Sequence, residues 1–428
     1  MTAVVGILNK DAIAIAADSA VTITGPNGTK ILNSANKLFR LSKYHPVGLM
    51  LYNSASFMGT PWETIIKIYR SQLGQDSFHT LQEYCDDFIS FLRKQGYFTN
   101  KETSEYYYRE ELQNILEKLI TREEQEAILD PALSEIKKAE VIASITASIH
   151  KHLAKLNGIA EAPDFASLDN TGYLKEFHSY GEELIKEVFI NRGYVLSKEF
   201  TDLLHTLFLK SIKSTSLDGT YTGLIFCGFG QAELYPNLIP LNVSFATETR
   251  LHFYIDNRKR ATITTTDRGV IRPFAQQDVM DTILTGVDPI LERVFLKNTF
   301  KFISKYNEEI LRLIGSSNDA LKSSIEAIDI RSLMDNFVQS NRSVKQEFYI
   351  QPLINAIATL SKQDLAEMAE SLIYLTYLKR RITFAEESVG GPVDVAVISK
   401  GDGFIWIKRK MYFDPKLNQH FFDNYYNL

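Results

Sequence analysis

Three side chains near the start of the sequence could together carry out an acyl transfer. Thr2 follows the initiator methionine in "MTAVVGILNKDAIAIAADSAVTIT", and removal of Met1 would leave a hydroxyl and a free α-amine on one residue. An α-amine has an ordinary pKa of about 7.7–8.0, so a useful fraction is unprotonated near neutral pH. That amine can accept the hydroxyl proton, directly or through a water, which activates the threonine without a histidine.

This chemistry also needs a cation, a carboxylate and a backbone donor. The cation favours the deprotonated amine, the carboxylate holds the cation, and a backbone N–H stabilises the developing oxyanion. Asp18 in "AIAADSA" lies sixteen residues after Thr2, where a second strand returns beside the first, and Lys37 begins the strand "KLFRL". Taken singly, they are explained as a strand-opening threonine, a turn carboxylate and a surface lysine. Their combination favours a catalytic site.

Strand and helix patterns alternate along the chain in large blocks. The strand blocks are residues 1–60, 216–276 and 381–412, the helical blocks are residues 61–215 and 277–380, and an aromatic tail covers residues 413–428. Within the first block, "NKDA" separates two short apolar runs and predicts a hairpin. The order of the blocks, with few crossover patterns, predicts one discontinuous α+β core of two sheets covered by helices. The helical blocks then enlarge this core as two long insertions.

Composition excludes several classes of function. The 428 residues are 45% hydrophobic, which is enough for a large core, and the net charge of −5 argues against nucleic-acid binding. No apolar run approaches the roughly 18 residues of a membrane span, and the N-terminus lacks the basic segment of a signal peptide. Two cysteines, Cys85 and Cys227, cannot form a disulfide framework. We therefore expect a cytoplasmic protein.

The sequence predicts neither a metal nor a cofactor. The eight histidines show no catalytic spacing, and two cysteines are too few for the common four-ligand zinc site. His150 and His152 lie two apart in a helical stretch, which places them on different faces. The segment "CGFGQAE" lacks the third glycine and the following helix of a phosphate-binding loop.

The N-terminal segment resembles proteasome β-subunits and their bacterial proteasome-like relatives, which are N-terminal-nucleophile hydrolases. The similarity lies in the threonine, in "AADS" and in "NKLFRL", and it covers about residues 2–58 and 381–408, with a weaker echo in 220–275. It implies a four-layer αββα sandwich with two large helical insertions. By the same resemblance Thr2 is nucleophile and base, Asp18 orients the lysine, and Lys37 is the cation.

Other site residues follow only from this resemblance. The oxyanion donor falls at the main-chain amide of Tyr52 or Asn53, where the family often has two glycines. Ser19 is expected to support the amine. The segment "EESVGG" stands where the family has an aspartate and a serine, so the last supporting candidates are Glu386, Glu387 and Ser388.

The chain also departs from the family pattern at two positions. A supporting serine corresponds to Ala275 or Gln276, neither of which carries a hydroxyl, and Ala20 replaces the usual arginine after "ADS".

The function that these residues predict is hydrolysis of a peptide or protein amide through an acyl-enzyme. The resemblance also implies self-association, because relatives stack into rings. Two alternatives stay open: a catalytically silent scaffold or recognition protein that kept the fold, and an amidase for small molecules. The space around Thr2 would distinguish the peptidase from the amidase, since a polypeptide needs an open cleft.

Overall fold

The structure is a computed structural model that describes residues 3–25, 28–96, 100–216, 220–315, 318–382, 389–420 and 422. The strands are β1 (Ala3–Asn9), β2 (Ala12–Ala17), β3 (Val21–Gly25), β4 (Gly28–Leu32), β5 (Leu38–Arg40), β6 (Val47–Asn53), β7 (Ser56–Phe57), β8 (Thr60–Pro61), β9 (Thr222–Gly228), β10 (Asn237–Ala246), β11 (Leu251–Ile255), β12 (Ala261–Thr262), β13 (Gly269–Ala275), β14 (Asp394–Ser399) and β15 (Gly403–Lys408).

The helices occupy the two long blocks between the strands. They are α1 (Trp62–Leu73), α2 (Leu81–Lys94), α3 (Lys101–Leu119), α4 (Arg122–Leu129), α5 (Glu135–Leu156), α6 (Asn170–Glu176), α7 (His178–Val188), α8 (Lys198–Lys213), α9 (Asp278–Thr285), α10 (Pro289–Ile314), α11 (Asp319–Glu326), α12 (Ile330–Lys345), α13 (Gln351–Ile357) and α14 (Lys362–Ile382). Antiparallel strand pairing combined with helices confirms the mixed α+β class.

The chain divides into two compact units. The first unit comprises Met1–Ala35, Thr262–Lys400 and Ile405–Leu428, and the second comprises Asn36–Ala261 and Gly401–Phe404. The first unit contains a sheet in the order β13-β1-β2-β14-β15, and the second contains a sheet in the order β11-β10-β9-β6-β5. Each sheet therefore joins strands that are far apart in the sequence.

The predicted hairpin at "NKDA" is confirmed as the turn between β1 and β2. The Asn9 side chain organises it, because its oxygen accepts from the amides of Asp11 at 3.0 Å and Ala12 at 3.2 Å. The Asn9 amide group then donates to the carbonyls of Leu360 at 2.9 Å and Ile357 at 3.1 Å. One buried side chain thus fixes the hairpin and ties it to the segment before α14.

Small residues on the hairpin let α14 approach the first sheet closely. Ala12, Ala14 and Ala16 alternate along β2 and pack in one core with Leu365 and Ala369 of α14. Successive side chains of a strand point to opposite faces. The intervening residues of the sheet are buried as well, including Val4, Leu8, Ile13, Ile15 and Ile398, each with no exposed area. Both faces of this sheet are therefore covered.

The second sheet is covered in the same way. Helices α1 and α2 pack on one face, where Trp62 and Phe88 stack at 6.3 Å and Phe88 meets Phe226 of β9 edge-on at 5.5 Å. Residues that point to the opposite face, such as Met50 and Ile225, are also fully buried. A strand that is buried on both faces reads as a continuous apolar run, as "GLMLY" and "GLIFC" do.

Helices α3 to α8 form a separate apolar core within the second unit. This core includes Tyr108, Leu112, Ile149, Phe165, Leu204 and Phe208. Polar side chains cap the ends of these helices. At the start of α4, the Thr121 hydroxyl and the Glu124 carboxylate form a reciprocal capping box. Across the described part of the chain, none of the helices combines the length and the apolar character that a membrane crossing requires.

A histidine lies fully inside this helical core. The Nε2–H of His252 donates to the Ser214 carbonyl at 3.1 Å, so Nδ1 accepts from the Ser244 hydroxyl at 2.7 Å. The ring stacks on Phe245 with 5.2 Å between centroids. Burial lowers the pKa of His252 to about 4 from its ordinary value of 6.5, because the charged ring would lose its hydration.

This buried histidine predicts a pH dependence of stability. Between pH 6.5 and 4 the unfolded chain protonates His252 and the folded chain does not, so the free energy of unfolding falls as pH falls through that window. The full loss is about 3 kcal/mol. We expect His252→Gln to remove most of this loss in urea unfolding measured at several pH values. His79→Gln changes an exposed histidine and should leave the pH dependence intact. Equal pH profiles for wild type and His252→Gln would contradict the assignment.

Candidate active site

The predicted site residues fall into three groups. Asp18 and Ser19 belong to the first unit, and Lys37, Tyr52 and Asn53 belong to the second. The remaining candidates, Thr2, Glu386, Glu387 and Ser388, lie outside the described residues.

Asp18 anchors the start of the first strand. Its Oδ1 accepts from the Ala3 amide at 2.9 Å, and its Oδ2 accepts from the amides of Ala20 at 3.1 Å and Gly390 at 3.2 Å. The Asp18 amide returns a bond to the Ala3 carbonyl at 3.1 Å. The side chain is 1% exposed, which excludes an ordinary surface turn carboxylate. Asp18 therefore fixes the residue that adjoins Thr2 in the sequence.

The glycine pair after the second helical block packs against Asp18 and its neighbour. The Ser19 amide donates to the Gly390 carbonyl at 3.0 Å, and the Ser19 hydroxyl donates to the Pro392 carbonyl at 2.5 Å. Gly391 has φ +74, and a Cβ there would lie 2.9 Å from Asn33 and 3.2 Å from Ser19. Only glycine fits this position. The hydroxyl of Ser19 thus holds the main chain of the glycine segment.

Ala275 and Gln276, the positions at which the resemblance predicts a supporting serine, make other contacts. Ala275 pairs with Ala3 and has φ +64, an unfavourable conformation for a residue with a Cβ. The Gln276 oxygen accepts from Arg380 Nε at 2.6 Å, and Arg380 Nη2 donates to Asp278 at 2.6 Å. A charged network from α14 and α9 therefore holds the strand end beside Ala3.

Lys37 is buried to 1% exposure immediately before β5 in the second unit. Its carbonyl accepts from the Leu51 amide at 2.9 Å, which places it at the edge of the sheet beside β6. Next to it, the Asn36 amide group donates to Glu63 at 3.0 Å. An ammonium that is taken out of water needs compensation, so this burial is inconsistent with a surface lysine.

The two oxyanion candidates differ in the direction of their amides. Along an antiparallel strand, successive N–H groups point to alternate neighbours. The Leu51 amide donates to Lys37 on the β5 side, whereas the Ser54 amide donates to Tyr221 on the β9 side at 3.2 Å. The Tyr52 amide therefore points toward β9, and the Asn53 amide points to the side of Lys37. Asn53, with φ +66, is the better donor candidate.

The Tyr52 side chain fixes the strand below Asn53. Its hydroxyl donates to the Asn242 side chain at 3.0 Å, and a Cβ on Gly223 would fall 1.9 Å from its ring. Burial, with the nearby Tyr221 as a smaller cause, raises the pKa of Tyr52 well above its usual range, so the hydroxyl stays a neutral donor. Across the strand, Trp62 Nε1 donates to Thr222 at 2.7 Å.

A cavity of about 260 Å³ opens beside the residue that follows Asn53. Its lining includes Ser54, Tyr107, Glu110, Tyr221 and Ser244. The walls come from the segment after β6, from α3, and from β10 and the start of β9, so the first two strand blocks and the first helical block build it together. The cavity is smaller than most ligand pockets and matches a single side chain or a small group.

No protein-family model matches the chain, and no curated protein shows significant similarity to it. The case for a function therefore depends on the environments of the residues themselves. No signal in the sequence indicated three contacts near the candidates: Glu63 with Asn36 beside Lys37, Asn242 with Tyr52, and Arg380 with Gln276 at the end of β13. The partners lie 27, 190 and 104 residues apart in the sequence, so no local spacing could reveal them.

We expect Asp18→Asn to destabilise the first unit. The NH2 group of asparagine would face at least one of the three backbone N–H donors. Two hydrogen-bond donors would then point at each other in a buried site, and neither would have an acceptor there. The free energy of unfolding should fall by about 2–3 kcal/mol, as measured by urea unfolding. Asp11→Asn makes the same change at an exposed position and should alter stability by less than about 0.5 kcal/mol. Equal stability for the two variants would contradict the role of Asp18.

Proposed function

We propose that this chain is an N-terminal-threonine amide hydrolase of the proteasome-like type, with a peptide or protein as substrate. The observation that carries the proposal is the environment of Asp18. A buried carboxylate that bonds the Ala3 amide orders the backbone next to Thr2, as a nucleophile at that position requires. No cofactor or metal is needed for this chemistry.

In the proposed reaction Thr2 is both nucleophile and base after Met1 is removed. The hydroxyl oxygen attacks the substrate carbonyl carbon while its proton passes to the α-amine. The Asn53 amide donates to the resulting oxyanion. Collapse of the tetrahedral intermediate breaks the C–N bond, and the proton moves from the amine to the departing nitrogen. A water, deprotonated by the same amine, then hydrolyses the ester and frees Thr2.

Lys37 supplies the positive charge that favours the unprotonated amine, and Asp18 orients it. One observation supports these roles. Lys37 and Asp18 are both buried, although charged side chains are almost never fully buried without a specific partner.

The fold that we propose is the αββα sandwich enlarged by two helical insertions. Each of the two sheets has helices on one face and buried apolar residues on the other, as the inner faces of a sandwich require. The free cysteines Cys85 and Cys227 are both buried and reduced, which supports a cytoplasmic location.

Two other functions compete with the peptidase. The charged network at Gln276, in place of a hydroxyl, favours a silent scaffold that kept the fold. The small cavity beside Ser54 favours an amidase for small molecules. Peptide amides of increasing length, tested beside simple acyl amides, would distinguish a peptidase from an amidase.

The function predicts a specific pattern of activity in purified protein. Intact-mass measurement should show the loss of one methionine. Hydrolysis of a fluorogenic peptide amide should fall at least about 10³-fold in Thr2→Ala and in Lys37→Met, and only in part in Thr2→Ser. Lys30→Met removes an exposed lysine and should retain full activity.

Circular dichroism of each variant would show whether it is folded. A retained Met1 together with no hydrolysis in folded wild-type protein would favour the scaffold. Full activity in Thr2→Ala would rule out the proposed nucleophile.

We also propose that the protein self-associates, through an apolar stripe on α10. This helix has no buried residue, and Leu291, Phe295, Phe302, Tyr306 and Leu313 are each at least 59% exposed. At about 100° per residue these positions lie within an arc of about 60°. A contiguous apolar surface of this kind marks a contact with another protein surface.

We expect the double variant Phe295→Glu and Phe302→Glu to dissociate the assembly, because two charges would be placed in its apolar contact. Sedimentation velocity should show an oligomer for the wild type and a smaller species for the variant. Lys301→Glu places the same negative side chain at an exposed position of α10 outside the stripe and should leave the assembly intact. A monomeric wild type would contradict self-association.

A further inference from the structure

We infer that His178, Glu182 and His205 form a zinc site in the helical block of the second unit. One ligand atom from each side chain lies within 4.8 Å of the others. His178 and Glu182 lie one turn apart on α7, and His205 lies on α8, so the site joins two helices. This site is separate from the proposed hydrolase chemistry and does not depend on it.

The arrangement is close to that of a three-ligand site. Glu182 Oε1 lies 2.7 Å from His205 Nε2 and 3.7 Å from His178 Nε2. Ligand atoms around tetrahedral Zn²⁺ are about 3.3 Å apart, given bonds of about 2.0–2.2 Å. The two imidazoles are stacked, with 4.2 Å between centroids and 15° between planes. Because the lone pair of a ring nitrogen lies in the ring plane, at least one ring has to rotate before both nitrogens point at one ion.

A hydrogen bond behind His205 fits the outer contacts of a metal-bound imidazole. His205 Nδ1 lies 2.9 Å from the Tyr173 hydroxyl. When Nε2 binds the metal, the ring proton resides on Nδ1 and is donated to the Tyr173 oxygen. Such a partner fixes the tautomer and the orientation of a metal-ligating histidine. Neutral His205 thus exchanges one tautomer for the other and releases no proton.

A glycine makes the approach of the two helices possible. Gly181 lies inside α7, where glycine costs roughly 0.5–1 kcal/mol relative to alanine. A Cβ at Gly181 would fall 2.9 Å from His205 Cε1 and 3.2 Å from the Tyr173 hydroxyl. The absence of a side chain therefore lets His205 lie directly against the turn that carries Glu182.

The ligand types favour zinc over hard cations. Two imidazoles and one carboxylate are a known ligand set for Zn²⁺, whereas Ca²⁺ and Mg²⁺ prefer oxygen ligands. The side chains of His178 and Glu182 are 35% and 47% exposed, which leaves a path for the ion, while that of His205 is 11% exposed. With three protein ligands, water fills the fourth position. The bound ion would fasten α7 to α8.

The test is calorimetric titration of the full chain with Zn²⁺ after treatment with a chelator. We expect one site per chain in the wild type. Glu182→Gln and His178→Ala change partly exposed ligands and should weaken binding by more than the roughly tenfold to hundredfold that outer-shell changes cost. His150→Ala removes an exposed histidine from α5 and should bind as the wild type does.

A second readout separates this site from unspecific binding. Co²⁺ in a four-coordinate site should give a strong visible absorption that Glu182→Gln abolishes. Gly181→Ala keeps all three ligands, yet should weaken binding because it displaces His205. Absence of a one-to-one site in the wild type, or equal affinity in the wild type and folded Glu182→Gln, would overturn the inference.

Discussion

The described structure around the chain start depends on one buried carboxylate. Asp18 gathers backbone amides from β1, from its own turn and from the glycine segment, so three separate parts of the sequence converge on it. Hydrogen bonds to an ionised acceptor are roughly twice as strong as neutral ones. Their loss would release the Ala3 end of β1, which also pairs with the strained Ala275. One side chain, that of Asp18, therefore holds together the start of β1, the turn after β2 and the glycine segment.

In the second unit, a buried side chain also fixes a strand end, here through neutral groups. Tyr52 is held by Asn242 on one side and by the absence of a side chain at Gly223 on the other. This fixes the strand in which the Asn53 amide points toward the Lys37 edge. The candidate donor lies at the end of a paired strand, which suits a group that must be aligned before an oxyanion develops.

The sequence predicted the mixed α+β class and the first hairpin, because apolar alternation and the "NKDA" turn are local signals. It also selected Asp18 and Lys37, whose burial excludes the two surface explanations. It could not predict the long-range contacts of other residues near the candidate site. The Asn36–Glu63 pair and the Gln276–Arg380 pair join distant elements, and no period of 2 or 3.6 residues encodes them. The His178–Glu182–His205 cluster was missed for the same reason, since its third ligand lies on another helix.

The most direct measurement maps the site of covalent modification after an epoxyketone directed at N-terminal threonine is added to the purified protein. Tryptic digestion and tandem mass spectrometry would resolve the peptide Thr2–Lys10. The proposed chemistry predicts that this peptide begins at Thr2 and carries the probe on that residue. Recovery of the same peptide with Met1 attached and no probe, from protein that is fully folded, would contradict it.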